Sequence, residues 1–88
     1  MKETVKIVIN GELDLHTFNP KEIGSLVPEY LKLCREAGIK EVRIVHGKGT
    51  GTLRRSVHSI LKRLDIVKFY KIAGHESGHW GATLVYLR

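Results

Sequence analysis

"KEVRIVHGKGTGTLRRSVHSILKRL", residues 40–64, is the stretch that decides the fold. Residues 40–47 are short and mostly apolar and end at His46, the pattern of a buried strand. Gly47, Gly49 and Gly51 then alternate with Lys48 and Thr50. From Thr52 onward, Leu53, Val57, Ile60, Leu61 and Leu64 recur at helical spacing. The pattern predicts a helix from about Thr52 to Leu64, with Arg54, Arg55, His58 and Lys62 on its exposed side. Strand, glycine loop and helix make one unit of an α/β fold.

Upstream, "VKIVINGELDLH" (5–16) alternates around Asn10-Gly11, the dipeptide suited to a two-residue hairpin turn. It predicts antiparallel strands over about 4–9 and 12–16. Leu13 and Leu15 would face the core, with Asp14 and His16 together on the other side. Asn19, Pro20 and Glu22 carry the signature of a capped helix start. Ile23, Leu26, Val27, Tyr30, Leu31 and Cys34 form one helical face, ended by Gly38, and Pro28 inside it predicts a kink. On that face Cys34 reads as core packing. Downstream, residues 67–74 and 82–88 predict a closing strand pair around a glycine-rich loop. The resulting order, ββαβαββ, is an α/β arrangement of two helices against one mixed sheet of four to five strands.

The 88 residues suffice for one domain with one core, taken as 1–88. No apolar run approaches a membrane span, and no leader pattern precedes the fold. A single cysteine excludes an internal disulfide and points to a reducing, cytoplasmic setting. Fifteen Lys and Arg against nine Asp and Glu leave a formal charge of +6, which attracts polyanions, nucleic acid first among them.

The glycine loop fits an anion. Glycines permit a tight turn, and the next helix opens with unsatisfied N–H donors and the positive end of its dipole. Lys48, Arg54 and Arg55 add charge beside it. The loop is neither G-x-x-x-x-G-K-[ST] nor G-x-G-x-x-G, and Lys71 stands where a dinucleotide site needs an acid, so a nucleotide cofactor is not expected. A right-handed crossover would set the strands ending in Asp14–His16 and in His46 parallel, bringing all three residues to one sheet edge. Histidines that titrate near neutrality, beside an anion cradle, suit acid–base cleavage of a phosphodiester. Asp14 would orient a histidine or hold a metal, with Mg²⁺ or Mn²⁺ as the candidates. One carboxylate is few for a two-metal site, so metal-independent catalysis is favoured. "HESGH" (75–79) matches the zinc-peptidase H-E-x-x-H, but the surrounding Gly74, Gly78 and Gly81 leave no helix to align its histidines. Trp80 either stacks on a base or lids the core.

"LDLH" (13–16), "EVRIVHGKGTGTLR" (41–54) and "GATLVYL" (81–87), in that order, resemble the small MutS-related (Smr) domain over about residues 12–88. The resemblance implies a two-layer α/β sandwich like the C-terminal domain of initiation factor 3. It also implies nucleic-acid binding and endonuclease activity, as DNA nicking or as RNA cleavage on stalled ribosomes. Asp14 and His16 match the D-L-H motif, and His46, Gly47, Gly49 and Gly51 match the loop. Thr17 departs from the glycine that usually follows L-D-L-H, and "HESGHW" replaces part of the late glycine-rich stretch. The chain reads as a free-standing domain without ATPase or clamp regions. Endonuclease, binding-only module and protein-interaction domain are the three readings, in that order.

Overall fold

The computed structural model describes residues 8–47, 51–73 and 81–88. Strand β1 (Glu12–Asp14) passes through two 3₁₀ turns, Leu15–Thr17 and Pro20–Glu22, into helix α1 (Ile23–Glu36). Strand β2 (Glu41–Val45), helix α2 (Thr52–Lys62), strand β3 (Val67–Ile72) and strand β4 (Ala82–Leu87) follow. The sheet order is β1-β2-β4-β3. β1 and β2 are parallel, and β4 lies antiparallel to both of its neighbours. This is the expected mixed sheet with two helices, in four strands.

Alternation explains the two faces. Leu13, Val42, Ile44, Val67, Val85 and Leu87 point to one side and join Ile23, Val27, Tyr30, Leu31 and Cys34 of α1 and Val57 and Leu61 of α2 in one core. Both helices therefore cover the same face, and each fully buried aliphatic side chain contributes about 1.5–3 kcal/mol. The apolar stripe of α1 is buried as its spacing predicts, Leu26 only partly, and Cys34 is fully enclosed. Asn19 and Glu22 make the reciprocal capping box, with Pro20 at the first position. Beyond α1, Ile39 N–H donates to the Cys34 carbonyl and Gly38 N–H to that of Arg35, closing the helix on a Schellman turn with Gly38 at φ +84°. Among the described residues no helix is long and apolar enough to cross a membrane.

The N-terminal reading is corrected in two places. Val8 and Ile9 lie outside any strand, and residues 4–7 of the expected hairpin lie outside the described residues. Asn10 Oδ1 accepts from Glu12 N–H at 3.0 Å, an Asx turn in place of a hairpin turn. Gly11, at φ +92°, instead donates its N–H to the Tyr30 hydroxyl of α1 at 3.2 Å. The second strand stops at Asp14 because the Asp14 side chain accepts the His16 N–H and turns the chain into a 3₁₀ helix. Helix α2 ends at Lys62, two residues early, and β3 and β4 are slightly shorter than expected.

Candidate functional site

The parallel pairing of β1 and β2 puts Asp14 level with Val45, so the residues after each strand share one edge. Asp14 Oδ1 accepts twice from His16, from its backbone N–H at 2.9 Å and from ring Nδ1 at 2.7 Å. The first of these bonds chiefly lowers the Asp14 pKa below its ordinary value, and the ring adds to it. With Nδ1 donating to the carboxylate, His16 Nε2 is the basic nitrogen. Both side chains are exposed, at 56% for Asp14 and 64% for His16, so Nε2 is open to solvent. It faces Gly47: a Cβ placed there would stand 3.5 Å from it. Asp14 and His16 thus reach the expected edge beside Gly47, whereas the third residue expected there, His46, turns its side chain inward.

His46 goes elsewhere. It is 5% exposed, with Nδ1 against its neighbour's carbonyl, Gly47 O, at 3.0 Å and Nε2 against Thr83 Oγ1 at 2.8 Å. Burial lowers its pKa most, the Gly47 carbonyl raises it, and the Arg54 charge lowers it further. The His46 and Gly47 N–H groups both donate to Gly81 O at 2.8 Å, which pins the start of the loop to the start of β4.

Thr83 and His58 escaped the sequence reading. His58, expected on the exposed side of α2, is half-buried, with Nε2 at 2.8 Å from the same Thr83 oxygen and its ring 4.8 Å from that of Tyr70. Two signals were present. Thr83 is the lone polar residue among the inward positions 83, 85 and 87, and His58 borders the Val57–Leu61 stripe.

Lys48, Gly49 and Thr50 lie outside the described residues, as does "HESGHW". Gly51 is buried at φ +88° and opens α2 without a side-chain cap. A Cβ there would meet Arg54 Nη2 at 3.0 Å and Arg55 Nη1 at 3.3 Å, so both guanidinium groups fold back over the helix start. That turn holds no acidic residue. Cations there oppose the helix dipole by about 0.3–1 kcal/mol each, an arrangement that an anion reverses.

Among the described residues, two open grooves lie along the helices. One, about 490 Å³, runs between the helix starts past Gly24, Thr52, Arg55, Ser56 and Ser59. The larger, about 840 Å³, carries Glu22 and Glu29 and repels a polyanion. Among the described residues no three His, Cys, Asp or Glu side chains gather as a metal site.

A family model described as Smr domain matches residues 13–88. Two curated proteins named Endonuclease MutS2 are similar to the chain. That of Thermomicrobium roseum is 39% identical over 79 residues, and that of Carboxydothermus hydrogenoformans 40% over 85. These alignments cover 90% and 97% of this chain but 10% and 11% of those proteins, so the chain spans about a tenth of their length. Among solved structures, the Smr domain of Thermus thermophilus MutS2 matches with a TM-score of 0.82 at 34% identity, over 90% of this chain and 99% of that one. YdaL, a stand-alone small MutS-related protein from Escherichia coli, matches with a TM-score of 0.78 at 28% identity, over 89% of this chain and 64% of that one.

Proposed function

The chain belongs to the Smr domain family, and we propose that it binds nucleic acid and cleaves its phosphodiester backbone as an endonuclease. The observation that carries the proposal is the Asp14–His16 pair with its Nε2 facing Gly47; two arginines fold over the start of α2, and the charge of one, Arg54, acts on the adjoining His46. A base held by a carboxylate, next to a cationic helix start, has the two parts that phosphoryl chemistry needs.

Asp14 fixes the His16 ring so that Nε2 takes the proton of the attacking oxygen. The new P–O bond forms as the bond to the leaving oxygen breaks, and the leaving oxygen takes its proton from solvent water while His16 returns its own to solvent. Arg54, Arg55 and the first N–H groups of α2 stabilise the negative charge gathering on the phosphoryl oxygens. His46 keeps Gly47 in place from inside the protein. The groove past Arg55, Ser56 and Ser59 carries the neighbouring backbone, since the glutamate-lined groove disfavours it. Mg²⁺ or Mn²⁺, if bound by Asp14, would add Lewis-acid stabilisation of the same charge.

The test incubates wild type, His16→Ala and Asp14→Asn with end-labelled single-stranded RNA, single-stranded DNA and supercoiled plasmid, each with Mg²⁺, Mn²⁺ or EDTA, and follows binding in parallel. Loss of cleavage by ~10²- to 10⁴-fold in His16→Ala, with binding retained, is expected for a general base. Salt-sensitive binding with no cleavage by wild type in any buffer would leave a binding module and sink the enzyme.

A further inference from the structure

We infer that Thr83 and His58 are positioning residues that lock the His46 ring in one tautomer and thereby hold Gly47 beside His16. The consequence for cleavage rests on the function proposed above; the tautomers do not.

The hydrogen bonds admit one pattern for neutral rings. Gly47 O only accepts, so His46 Nδ1 carries the hydrogen. Burial keeps that ring neutral at neutral pH, aided by the Arg54 charge. Its Nε2 is then a bare acceptor, and Thr83 Oγ1 donates to it across 2.8 Å. Thr83 has one hydroxyl hydrogen, and it is now committed. His58 Nε2, also 2.8 Å away, must donate to the Thr83 oxygen. His58 is kept neutral first by burial, and the charges of Arg54 and Lys62 act in the same direction.

The two rings therefore hold opposite tautomers, His46 with hydrogen on Nδ1 and His58 with hydrogen on Nε2. The relay joins the middle of α2, the inner face of β4 and the end of β2, and Tyr70 of β3 packs on the His58 ring. Thr83 is fully buried and His46 nearly so, hence neither meets substrate directly. Their reach to the chemistry is through the carbonyl of Gly47, the same residue whose α-carbon faces His16 Nε2. A flipped His46 tautomer would set a lone pair against that carbonyl and push the loop start out of place.

Two-bond ¹H–¹⁵N correlation of the imidazole rings at pH 7.5 reads the tautomers directly in wild type. His46 should show a protonated Nδ1 and a pyridine-like Nε2, and His58 the reverse. In Thr83→Val the His46 pattern should become a mixture, and turnover should fall about 10- to 100-fold, as for outer partners of other functional histidines, with substrate affinity kept. Thr83→Ser should recover both. If Thr83→Val does not fold, His58→Leu deprives Thr83 of its donor and should lower turnover, with His58→Gln, which keeps an N–H, recovering most of it. A wild-type His46 protonated on Nε2, or full turnover in Thr83→Val, overturns the inference. Should wild type cleave nothing, the proposed function fails separately, and the ring spectrum alone decides whether the relay stands.

Discussion

Three glycines share a left-handed backbone but differ in what an added methyl would touch. Gly38, Gly47 and Gly51 have φ of +84°, +83° and +88°. An L-residue in that region costs roughly 1–2 kcal/mol, partly offset by the loss of unfolded-chain freedom, so each Gly→Ala change should destabilise by about 1 kcal/mol. For a domain of this size that lowers Tm by roughly 4–8 °C. At Gly38 nothing lies within 4 Å of the new Cβ, and Gly38→Ala therefore measures strain alone. At Gly47 the methyl sits 3.5 Å from His16 Nε2, an ordinary contact that adds no clash. It does occupy ground the attacking oxygen must cross to come within about 2.6–3.2 Å of that nitrogen. At Gly51 it presses on the ends of Arg54 and Arg55, which can move aside at little energetic cost but then leave the helix start. Thermal melts should place the three variants together, while nuclease assays well below every Tm should separate them. Gly47→Ala should lose about 100-fold or more in cleavage with binding kept, Gly51→Ala should lose binding, and Gly38→Ala should match wild type. Gly47→Ala cleaving as fast as Gly38→Ala would refute the placement of His16 Nε2 as the base.

Stability should fall on mild acidification. The folded pKa values of His46 and His58 lie below their ordinary 6.5, so the unfolded chain binds more protons just under that pH. The stabilisation is complete above about pH 6.5 and is lost as pH drops through the lowered folded values; melts from pH 7.5 to 5.5 check this, and His58→Gln should flatten the trend. Tyr30→Phe strips a partner from Gly11 N–H and from Glu12 O, 3.2 and 3.1 Å away, and should cost about 1–3 kcal/mol of stability, read as a lower urea midpoint at unchanged slope. Arg55→Ala should weaken nucleic-acid binding and reduce the salt slope by about 0.9 for duplex or 0.7 for single strands, the loss of one phosphate contact.

Period alone carried most of the fold. The stripe from Ile23 to Cys34 buries what its spacing requires, and the capping box forms at Asn19–Glu22. The errors cluster where a side chain competes with the backbone. Asn10 and Asp14 both divert a neighbouring N–H to their own oxygen, and these local bonds end the strand pattern that hydrophobic alternation had extended. The edge that gathers Asp14, His16 and Gly47 was legible because parallel strands place their carboxyl ends together. The Thr83 link between two histidines was not, since it joins positions 46, 58 and 83 on three elements whose register no local pattern encodes.

Burial gives the two histidines near this edge opposite characters. His16 has a carboxylate on one nitrogen and solvent at the other, the arrangement of a ring that moves protons. His46 has no carboxylate, both nitrogens bonded and a nearby cation, the arrangement of a ring kept neutral. Motif matching treats them alike, because it sees a histidine before each turn. The same electrostatic logic extends to α2, where two guanidinium groups stand at the positive end of the helix. A fold selected for stability alone would place acids there. Cations at that turn, folded over Gly51, make sense under the proposed function, in which the missing negative charge arrives with the substrate.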